Sequence, residues 1–447
     1  MSNLLRDTAS RASRYLESLE ARSVAPTQEA IAALGNFEQP FPEQESTAQA
    51  VVAELDQIGS PATMASAGAR FFGFVIGGAL PVTVAANWLA TAWDQNAGLV
   101  VTAPTNAALE NVALRWVKGI FNLPAPSAGG FVTCATTANI TALAAARHAL
   151  LAKAGWEVEA QGLFGAPPLT IVVGDEVHAS IRKALALVGF GSQRVVSVPV
   201  DGQGRMRLDA FPSIDERTIV CVQAGDVNTG AFDPVAQICE RAHSRGAWVH
   251  VDGAFGMWAA AAPSRAHLVR GIEHADSWAT DAHKWLNVPY DSGLVFTRDA
   301  GALRAAMAVG GAYLAQDEDR VPYQYTPDFS RRARGVEVWA ALRHLGRKGL
   351  ADLIERTCRH ATRFADGLRA AGHPVLNEVT LNQVLVSFGD AQRTRDVIRR
   401  IQEDGTCWCG GTVWQGHTAM RISVSSWATT EEDVERSLAA MLRAAAS

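Results

Sequence analysis

The sequence predicts an α/β protein, with a mainly parallel seven-stranded sheet in a large domain and a smaller C-terminal α/β domain. Two observations predict this class. From Gly130 the chain alternates short apolar runs with helical stretches, the pattern of a parallel sheet covered by helices. The 447 residues also exceed one ordinary domain, and 48% of them are hydrophobic, which is enough to bury a sizeable core.

The order of the elements follows from the apolar runs. The candidate strands of the large sheet are residues 131–134, 170–174, 195–199, 218–223, 247–252, 275–280 and 293–297. The smaller domain should contain a helix near 349–371, strands at 382–388 and 419–424, and a final helix from Thr430. Residues 1–70 are predicted to form amphipathic helices interrupted by prolines. We therefore expect three parts: 1–70, 71–345 and 346–447.

Composition excludes several classes of protein. A net charge of −5 and a pI near 6.1 give no reason to expect a nucleic-acid partner. Six cysteines without a disulfide framework predict a reducing compartment, and the pair Cys407 and Cys409 lacks a second ligand pair for a metal. The uncharged run Phe71–Trp93 contains a proline and an asparagine and indicates a buried segment rather than a membrane span. A polar, mixed-charge beginning without a signal peptide predicts a cytoplasmic protein.

Lys284 lies at the centre of the stretch that organises the chain. It stands in a loop between the strand candidates 275–280 and 293–297, flanked by His283 and Trp285. A lysine in apolar surroundings is partly desolvated, and desolvation favours the neutral, nucleophilic amine that covalent catalysis requires. A catalytic lysine and an ordinary structural lysine are both compatible with this stretch alone.

Asp252 ends the buried run that begins at Trp248. Open α/β sheets bind ligands beyond the carboxyl ends of their strands, so this carboxylate should meet a bound ligand. Pyridoxal phosphate needs such a pair, a lysine to hold its aldehyde and a carboxylate to keep its ring nitrogen protonated. A turn or N-cap role for Asp252 is the alternative.

Two motifs resemble a known family. V-H-V-D-G-A-F-G at 249–256 and D-A-H-K-W at 281–285 are similar to motifs of the group II pyridoxal-phosphate decarboxylases, which include aromatic-L-amino-acid and glutamate decarboxylases. The resemblance runs from about Phe71 to the last helix. It implies a fold-type I enzyme with pyridoxal 5'-phosphate as cofactor, and a homodimer in which residues 1–70 pack against the second subunit.

The resemblance also implies roles for individual residues. His178, after the strand 170–174, matches the histidine that stacks on the cofactor ring and contacts the substrate carboxylate. The implied cofactor contacts are Ala135, Thr136, His178, Asn228, Asp252, Ala254, Asp281, His283 and Lys284. The phosphate segment departs from the family pattern because it lacks two glycines and a glutamate, although hydroxyl residues at a helix N-terminus still suit an anion.

A long loop should cover the site. Val309–Ser330 is poor in apolar residues and contains the acidic run 317–319, which is typical of a lid. In the family a tyrosine of this loop protonates the reaction intermediate. Tyr323 and Tyr325 are both candidates, and we favour Tyr325 because it directly precedes the Thr326-Pro327 turn.

The substrate pocket is predicted from the same matching. It places Ile76, Ala97 and Leu99 in a roomy apolar pocket, which favours an aromatic or bulky apolar L-amino acid over glutamate. The expected reaction is decarboxylation to the amine and CO2. Two alternatives stay open: a pyridoxal-phosphate-dependent aminotransferase or aldehyde-forming oxidative deaminase, and a catalytically silent pyridoxal-phosphate-binding protein.

Overall fold

The computed structural model describes residues 2–308 and 320–446, without the side chain of Ser2. The first part of the predicted loop Val309–Ser330, including Asp317-Glu318-Asp319, lies outside these residues. The α-helices are α1 (Ser2–Ser18), α2 (Gln28–Ala33), α3 (Ala48–Glu54), α4 (Ser60–Ala62), α5 (Pro81–Trp93), α6 (Pro104–Ile120), α7 (Ala135–Lys153), α8 (Val158–Gln161), α9 (Ala179–Leu187), α10 (Val235–His243), α11 (Ala300–Met307), α12 (Gly335–Ala370), α13 (Ala391–Asp404) and α14 (Glu431–Ala446).

The strands form two sheets. They are β1 (Ala128–Val132), β2 (Thr170–Gly174), β3 (Val196–Val198), β4 (Thr218–Gln223), β5 (Trp248–Asp252), β6 (Ser277–Asp281), β7 (Gly293–Thr297), β8 (Gln383–Val386), β9 (Gly410–Trp414) and β10 (His417–Ser423). The larger sheet has the order β1-β7-β6-β5-β4-β2-β3, and the smaller one has the order β8-β10-β9. Only β7 runs antiparallel to its neighbours in the larger sheet. The predicted mainly parallel, seven-stranded sheet is therefore confirmed.

The central strands are buried on both faces. The runs T-I-V-C-V-Q in β4 and W-V-H-V-D in β5 are buried at every position. Continuous β-branched and aromatic runs of this kind are what a helix-covered parallel sheet requires. Helix α7 contacts β5, β6 and β7, and its alanine-rich sequence combines high helix propensity with small side chains that allow close packing.

Strand β1 begins three residues earlier than predicted. The prediction started after Gly129 and Gly130, because glycine usually marks a turn. In the structure both glycines pair with β7, where a Cβ on Gly129 would lie 2.4 Å from the carbonyl oxygen of Val295. Glycine here permits a close approach of two chain segments rather than a turn.

The chain divides into two compact units. One consists of Met1–Gly78, His360–Leu376 and Val384–Ser447, and the other of Ala79–Arg359 and Asn377–Gln383. The predicted division at 70 and 345 differs from these units. Residue 345 falls inside α12, which contributes residues to both units, and the N-terminal segment shares a unit with the C-terminal residues.

The unit that contains both termini has a core of its own. Leu19, Val24 and Phe71 are buried together, and the rings of Phe71 and Trp408 stack with their centroids 5.1 Å apart. These contacts join residues of the N-terminal segment to Phe71, and the predicted division of the chain at 70 and 345 stays a prediction. No helix in the described ranges is long and apolar enough to cross a membrane.

Candidate active site

The predicted site residues lie at one edge of the large sheet. Gln223 and Asp252 are paired last residues of the parallel strands β4 and β5, and Asp281 ends the neighbouring β6. His178 follows β2, also parallel, and Lys284 follows β6. Carboxyl ends of parallel strands meet at the same edge, so the fold brings together side chains that are far apart in the sequence.

Lys284 forms an ion pair inside the site. Its Nζ lies 2.9 Å from Oδ2 of Asp281, a carboxylate that is almost completely buried. The other oxygen of Asp281 accepts a hydrogen bond of 2.6 Å from the backbone N–H of Ala135. From the sequence, desolvation alone was expected to make the Lys284 amine nucleophilic, and the ion pair with Asp281 was not predicted.

The bond to Ala135 also bears on the predicted phosphate site. Ala135 and Thr136 lie in the first turn of α7, whose N-cap residue Cys134 provides no side-chain cap. Uncapped N–H groups at a helix N-terminus suit an anion. In the structure, however, the Ala135 N–H donates its hydrogen bond to Asp281, although the sequence predicted that this N–H would bind the phosphate.

Asp252 is surrounded by hydrogen-bond donors. Its Oδ2 accepts from Nδ2 of Asn139 at 3.0 Å and from Oγ of Ser180 at 3.3 Å, and its Oδ1 accepts from the Ala254 N–H at 3.2 Å. Three hydrogen bonds to its two oxygens fix the orientation of this carboxylate. Asn139 and Ser180 were not predicted, because their position beside Asp252 depends on the packing of α7 and α9.

His178 is oriented by two neighbours. Its Nδ1 lies 2.8 Å from Oγ of Ser180 and accepts the Ser180 N–H at 3.2 Å, while its own backbone N–H donates to Oε1 of Gln223. Ser180 therefore contacts both His178 and Asp252. Gln223 was also missed, although it ends a predicted strand at the correct edge.

His283 is held at the same edge by different partners. Its Nδ1 accepts the Ser292 N–H at 3.0 Å, and its ring centroid lies 4.3 Å from that of Tyr290. Burial lowers the pKa of His283, and burial raises the pKa of Tyr290 to about 12. The neutral forms of both rings are thus favoured close to Lys284.

One small cavity brings the central residues together. The residues that line it are His178, Gln223, Gly225, Val227, Asp252, Ala254, Phe255 and Lys284. The cavity has a volume of about 20 Å³, so the chemistry of its lining side chains, rather than its size, identifies the site. A lysine, a carboxylate that accepts three hydrogen bonds and an oriented histidine surround one cavity. These are the groups that pyridoxal phosphate needs. Larger cavities, such as the one of about 750 Å³ between α10 and Arg298, contain none of these residues.

Val227 lines this cavity, and the predicted cofactor contact of Asn228 stays a prediction. Asn228 was expected to reach the cofactor, but its backbone N–H donates to Oδ1 of Asp226 in a tight turn, and it is not one of the lining residues. Gly225, with φ of +99°, allows the close approach of Gly256 beneath the cavity, because a Cβ there would lie 2.9 Å from the Gly256 Cα.

The predicted pocket residues lie elsewhere. Ala97 packs against Ala333 and Val336, and Leu99 is half-buried; neither lines the cavity of Lys284. Ile76 belongs to the unit that contains the termini, where it packs on the cluster around Phe71. Their roles in substrate binding stay predictions.

The tyrosines predicted for the lid are both buried in a short 3-10 helix, Pro322–Tyr325. The ring of Tyr325 packs with Leu303, and the guanidinium of Arg320 lies 4.7 Å from its centroid. Tyr323 contacts Phe329, with 4.7 Å between the ring centroids. Neither lines the cavity, so a proton-donating role for Tyr325 also stays a prediction.

Comparison with known proteins gives a family match over most of the chain. The family model described as the pyridoxal-dependent decarboxylase conserved domain matches residues 32–389. Tryptophan decarboxylase 1 of Oryza sativa subsp. japonica is 27% identical, over 82% of this chain and 78% of the relative. The 4-hydroxyphenylacetaldehyde synthase of Rhodiola rosea is 26% identical, over 75% of this chain and 72% of the relative.

The fold has close matches among solved structures. The crystal structure of Oryza sativa TDC with PLP and tryptamine superimposes with a TM-score of 0.91 at 22% identity, covering 100% of this chain and 97% of that one. At this identity the match shows the fold, which is that of a fold-type I decarboxylase.

Proposed function

Because the chain belongs to the pyridoxal-dependent decarboxylase family, which makes it an amino acid decarboxylase that uses pyridoxal 5'-phosphate, we propose that its substrate is an aromatic or bulky apolar L-amino acid. The observation that carries the assignment of the site is the cavity shared by Lys284, Asp252 and His178. The products are the corresponding amine and CO2.

Each of these residues has a distinct task at the cavity. When bound, pyridoxal phosphate supplies an electron-accepting ring for the electron pair released as the bond from Cα to the carboxylate breaks. Lys284 Nζ provides the nucleophilic amine that holds the cofactor. Asp252 would hold the proton on the ring nitrogen of the bound cofactor, because its two oxygens receive hydrogen bonds and face no competing acceptor among these partners. His178, fixed through Ser180, orients the substrate carboxylate.

The phosphate end is the least well matched part of the site. The first turn of α7 offers N–H groups, with the hydroxyls of Thr133 and Thr137 close together at 2.6 Å. Asp281 brings a negative charge to the same place, and Lys284 balances it. We propose that Thr136 and the first turn of α7 bind the phosphate, with Asp281 and His283 positioning Lys284 beside it.

The preference for an apolar substrate rests on the lining of the cavity. Val227 and Phe255 provide apolar surface beside Lys284, and Phe255 in turn packs on Trp285 with 6.2 Å between ring centroids. The side chains of Val227 and Phe255 favour aromatic and aliphatic substrate side chains and offer no partner to a second carboxylate. Relatives named as tryptophan decarboxylase and as tyrosine/DOPA decarboxylase support the same choice.

Aldehyde formation is a second candidate. The observation that favours it is the similarity to the 4-hydroxyphenylacetaldehyde synthase of Rhodiola rosea over three quarters of this chain. Such a reaction also releases CO2, but it consumes O2 and water and gives an aldehyde, ammonia and hydrogen peroxide instead of an amine. Product analysis therefore separates the two candidates.

We expect the purified protein, loaded with pyridoxal phosphate, to release CO2 and the matching amine in equal amounts from at least one of tryptophan, tyrosine, phenylalanine and leucine. Glutamate should be a poor substrate, because its carboxylate would meet Val227 and Phe255. The measurement is CO2 release together with chromatography of the products. Lys284→Ala protein serves as the blank. If an aldehyde forms and O2 is consumed, the second candidate is correct and decarboxylation to the amine is wrong. If no amino acid releases CO2, both candidate functions are contradicted.

We also propose a homodimer. Large apolar side chains are exposed on α1 and α5, among them Leu5, Leu16, Trp88 and Leu89, and a second copy of the chain would bury them. Sedimentation should give twice the chain mass of 47.6 kDa. A mass equal to one chain at micromolar concentration would contradict the dimer.

A further inference from the structure

A chain of buried polar side chains runs away from Asp252 into the sheet. Nδ2 of Asn139 donates to Asp252 at 3.0 Å, and Oδ1 of Asn139 lies 2.9 Å from Nε2 of His250. Nδ1 of His250 lies 2.9 Å from Oγ of Ser277, which accepts the indole N–H of Trp248 at 2.9 Å. All five residues are at most 6% exposed, so no solvent competes for these bonds.

The carboxylate at the outer end of the chain sets the direction of the bonds. The Asp252 carboxylate can only accept, so Asn139 turns its amide NH2 toward it and its amide oxygen toward Nε2 of His250. The neutral His250 ring then carries its hydrogen on Nε2, and its Nδ1 accepts the hydroxyl hydrogen of Ser277. A lone pair of the Ser277 oxygen accepts the indole N–H of Trp248, which can only donate.

The opposite orientation of Asn139 is disfavoured at both ends. A flipped amide would turn its oxygen toward the Asp252 carboxylate and its NH2 toward the N–H of His250. Two acceptors would then face each other at Asp252, and two donors would face each other at His250. Both places are buried, where unmade hydrogen bonds are costly. The Asp252 carboxylate and the Nε2 hydrogen of His250 therefore favour the same orientation of Asn139.

His250 stays neutral under ordinary conditions. Burial lowers its pKa to about 4, against the opposing influence of the Asp252 charge and of the Ser277 backbone. A neutral ring with one hydrogen supplies one donor and one acceptor, which is the combination that this chain needs. The arrangement is thus maintained at any pH well above 4.

We propose that Asn139 and His250 are positioning residues that present the Asp252 carboxylate, ionised and in a fixed orientation, to the ring nitrogen of pyridoxal phosphate. Ser277 and Trp248 complete the chain. The proposal rests on the proposed role of Asp252. It extends the site by two residues that do not line the cavity.

The experiment separates positioning of Asp252 from packing of the sheet. Apoprotein is titrated with pyridoxal phosphate and, separately, with the carbocyclic analogue that has carbon in place of the ring nitrogen. The preference of each variant is the ratio of the two dissociation constants. A structural role weakens both ligands alike, whereas a role through Asp252 weakens only the ligand that has the nitrogen.

His250→Leu removes the donor and the acceptor, and His250→Gln keeps one of each. We expect His250→Leu to lower the preference for pyridoxal phosphate roughly tenfold, the size of a weakened hydrogen bond to a charged group. His250→Gln should restore most of it, and Asn139→Ala should repeat the loss. Equal weakening of both ligands, or an unchanged preference in His250→Leu and Asn139→Ala, would overturn the proposal.

Asp252→Asn is the reference variant. If it abolishes the preference while His250→Leu leaves it intact, Asp252 keeps its role and only the positioning residues are rejected. If Asp252→Asn keeps the preference, the roles of Asp252 and of both positioning residues are rejected together.

Wild-type apoprotein gives a test of the hydrogen position on His250, in which the His250→Gln variant serves only to assign the signal. Nitrogen NMR of histidine-labelled protein should show one ring, absent from the His250→Gln spectrum, that is neutral with its hydrogen on Nε2 from pH 5 to 8. A charged ring at pH 6, or a hydrogen on Nδ1, would contradict the direction of the chain.

Discussion

Lys284→Ala protein is expected to lose CO2 release by at least about 10³-fold, the range seen when a residue that forms a covalent bond in catalysis is removed. Lys284 provides the one amine among the eight residues that line the cavity, so no neighbouring lysine can replace it there. The fold should survive, because Asp281 keeps its hydrogen bond from the Ala135 N–H. Initial rates of CO2 release at saturating cofactor measure the effect.

An exposed lysine of the same unit provides the control for this variant. Lys183 lies on α9, beyond His178, and its side chain is exposed. Lys183→Ala should keep wild-type turnover and melting temperature. Substantial activity in Lys284→Ala would remove Lys284 from the chemistry, whatever the control shows.

Asp252→Asn protein should retain its fold and lose turnover by about 10²–10³-fold, as when one preorganised electrostatic group is removed from an active site. The carboxylate is the cavity's partner for a protonated ring nitrogen, and an amide at this place carries no charge. The amide NH2 would also face one of the three donors from Asn139, Ser180 and Ala254. That mismatch should lower the free energy of unfolding by about 1–3 kcal/mol.

Asp175→Asn is the matched control for Asp252→Asn. Asp175 also follows a strand at this edge of the sheet, but its side chain is exposed and outside the cavity. It should leave turnover nearly unchanged. Equal losses in the two variants would indicate a general effect of charge, and wild-type turnover in Asp252→Asn would exclude the role of its carboxylate.

The sequence predicted the large sheet well because its strands carry a clear signal. Continuous β-branched runs such as those of β2, β4 and β5 are buried on both faces, and their bounds differ from the prediction by at most one residue. Strands β1 and β9 both contain two adjacent glycines. Glycine is read as a turn from sequence, whereas here it permits close packing, so β1 was displaced and β9 was missed.

The site was predictable where a residue ends a strand or lies in a recognisable motif. Lys284, Asp252 and His178 meet that condition, and the fold brings all three to one cavity. Asn139 and Ser180 lie in no recognised motif, and His250 lies in the motif at 249–256 without an assigned role. The roles of all three come from hydrogen bonds that span 72 to 113 residues. The bond from Ala135 to Asp281 spans 146 residues and was likewise invisible.

The most direct measurement is reduction of the purified, cofactor-loaded protein with borohydride, followed by mass spectrometry of its peptides. We expect a reduced pyridoxal-phosphate label on the peptide that contains Lys284, with the visible absorption of the bound cofactor lost in the same step. Label on another lysine, or bound cofactor that borohydride does not attach to any residue, would contradict the assignment of Lys284 as the cofactor's attachment site.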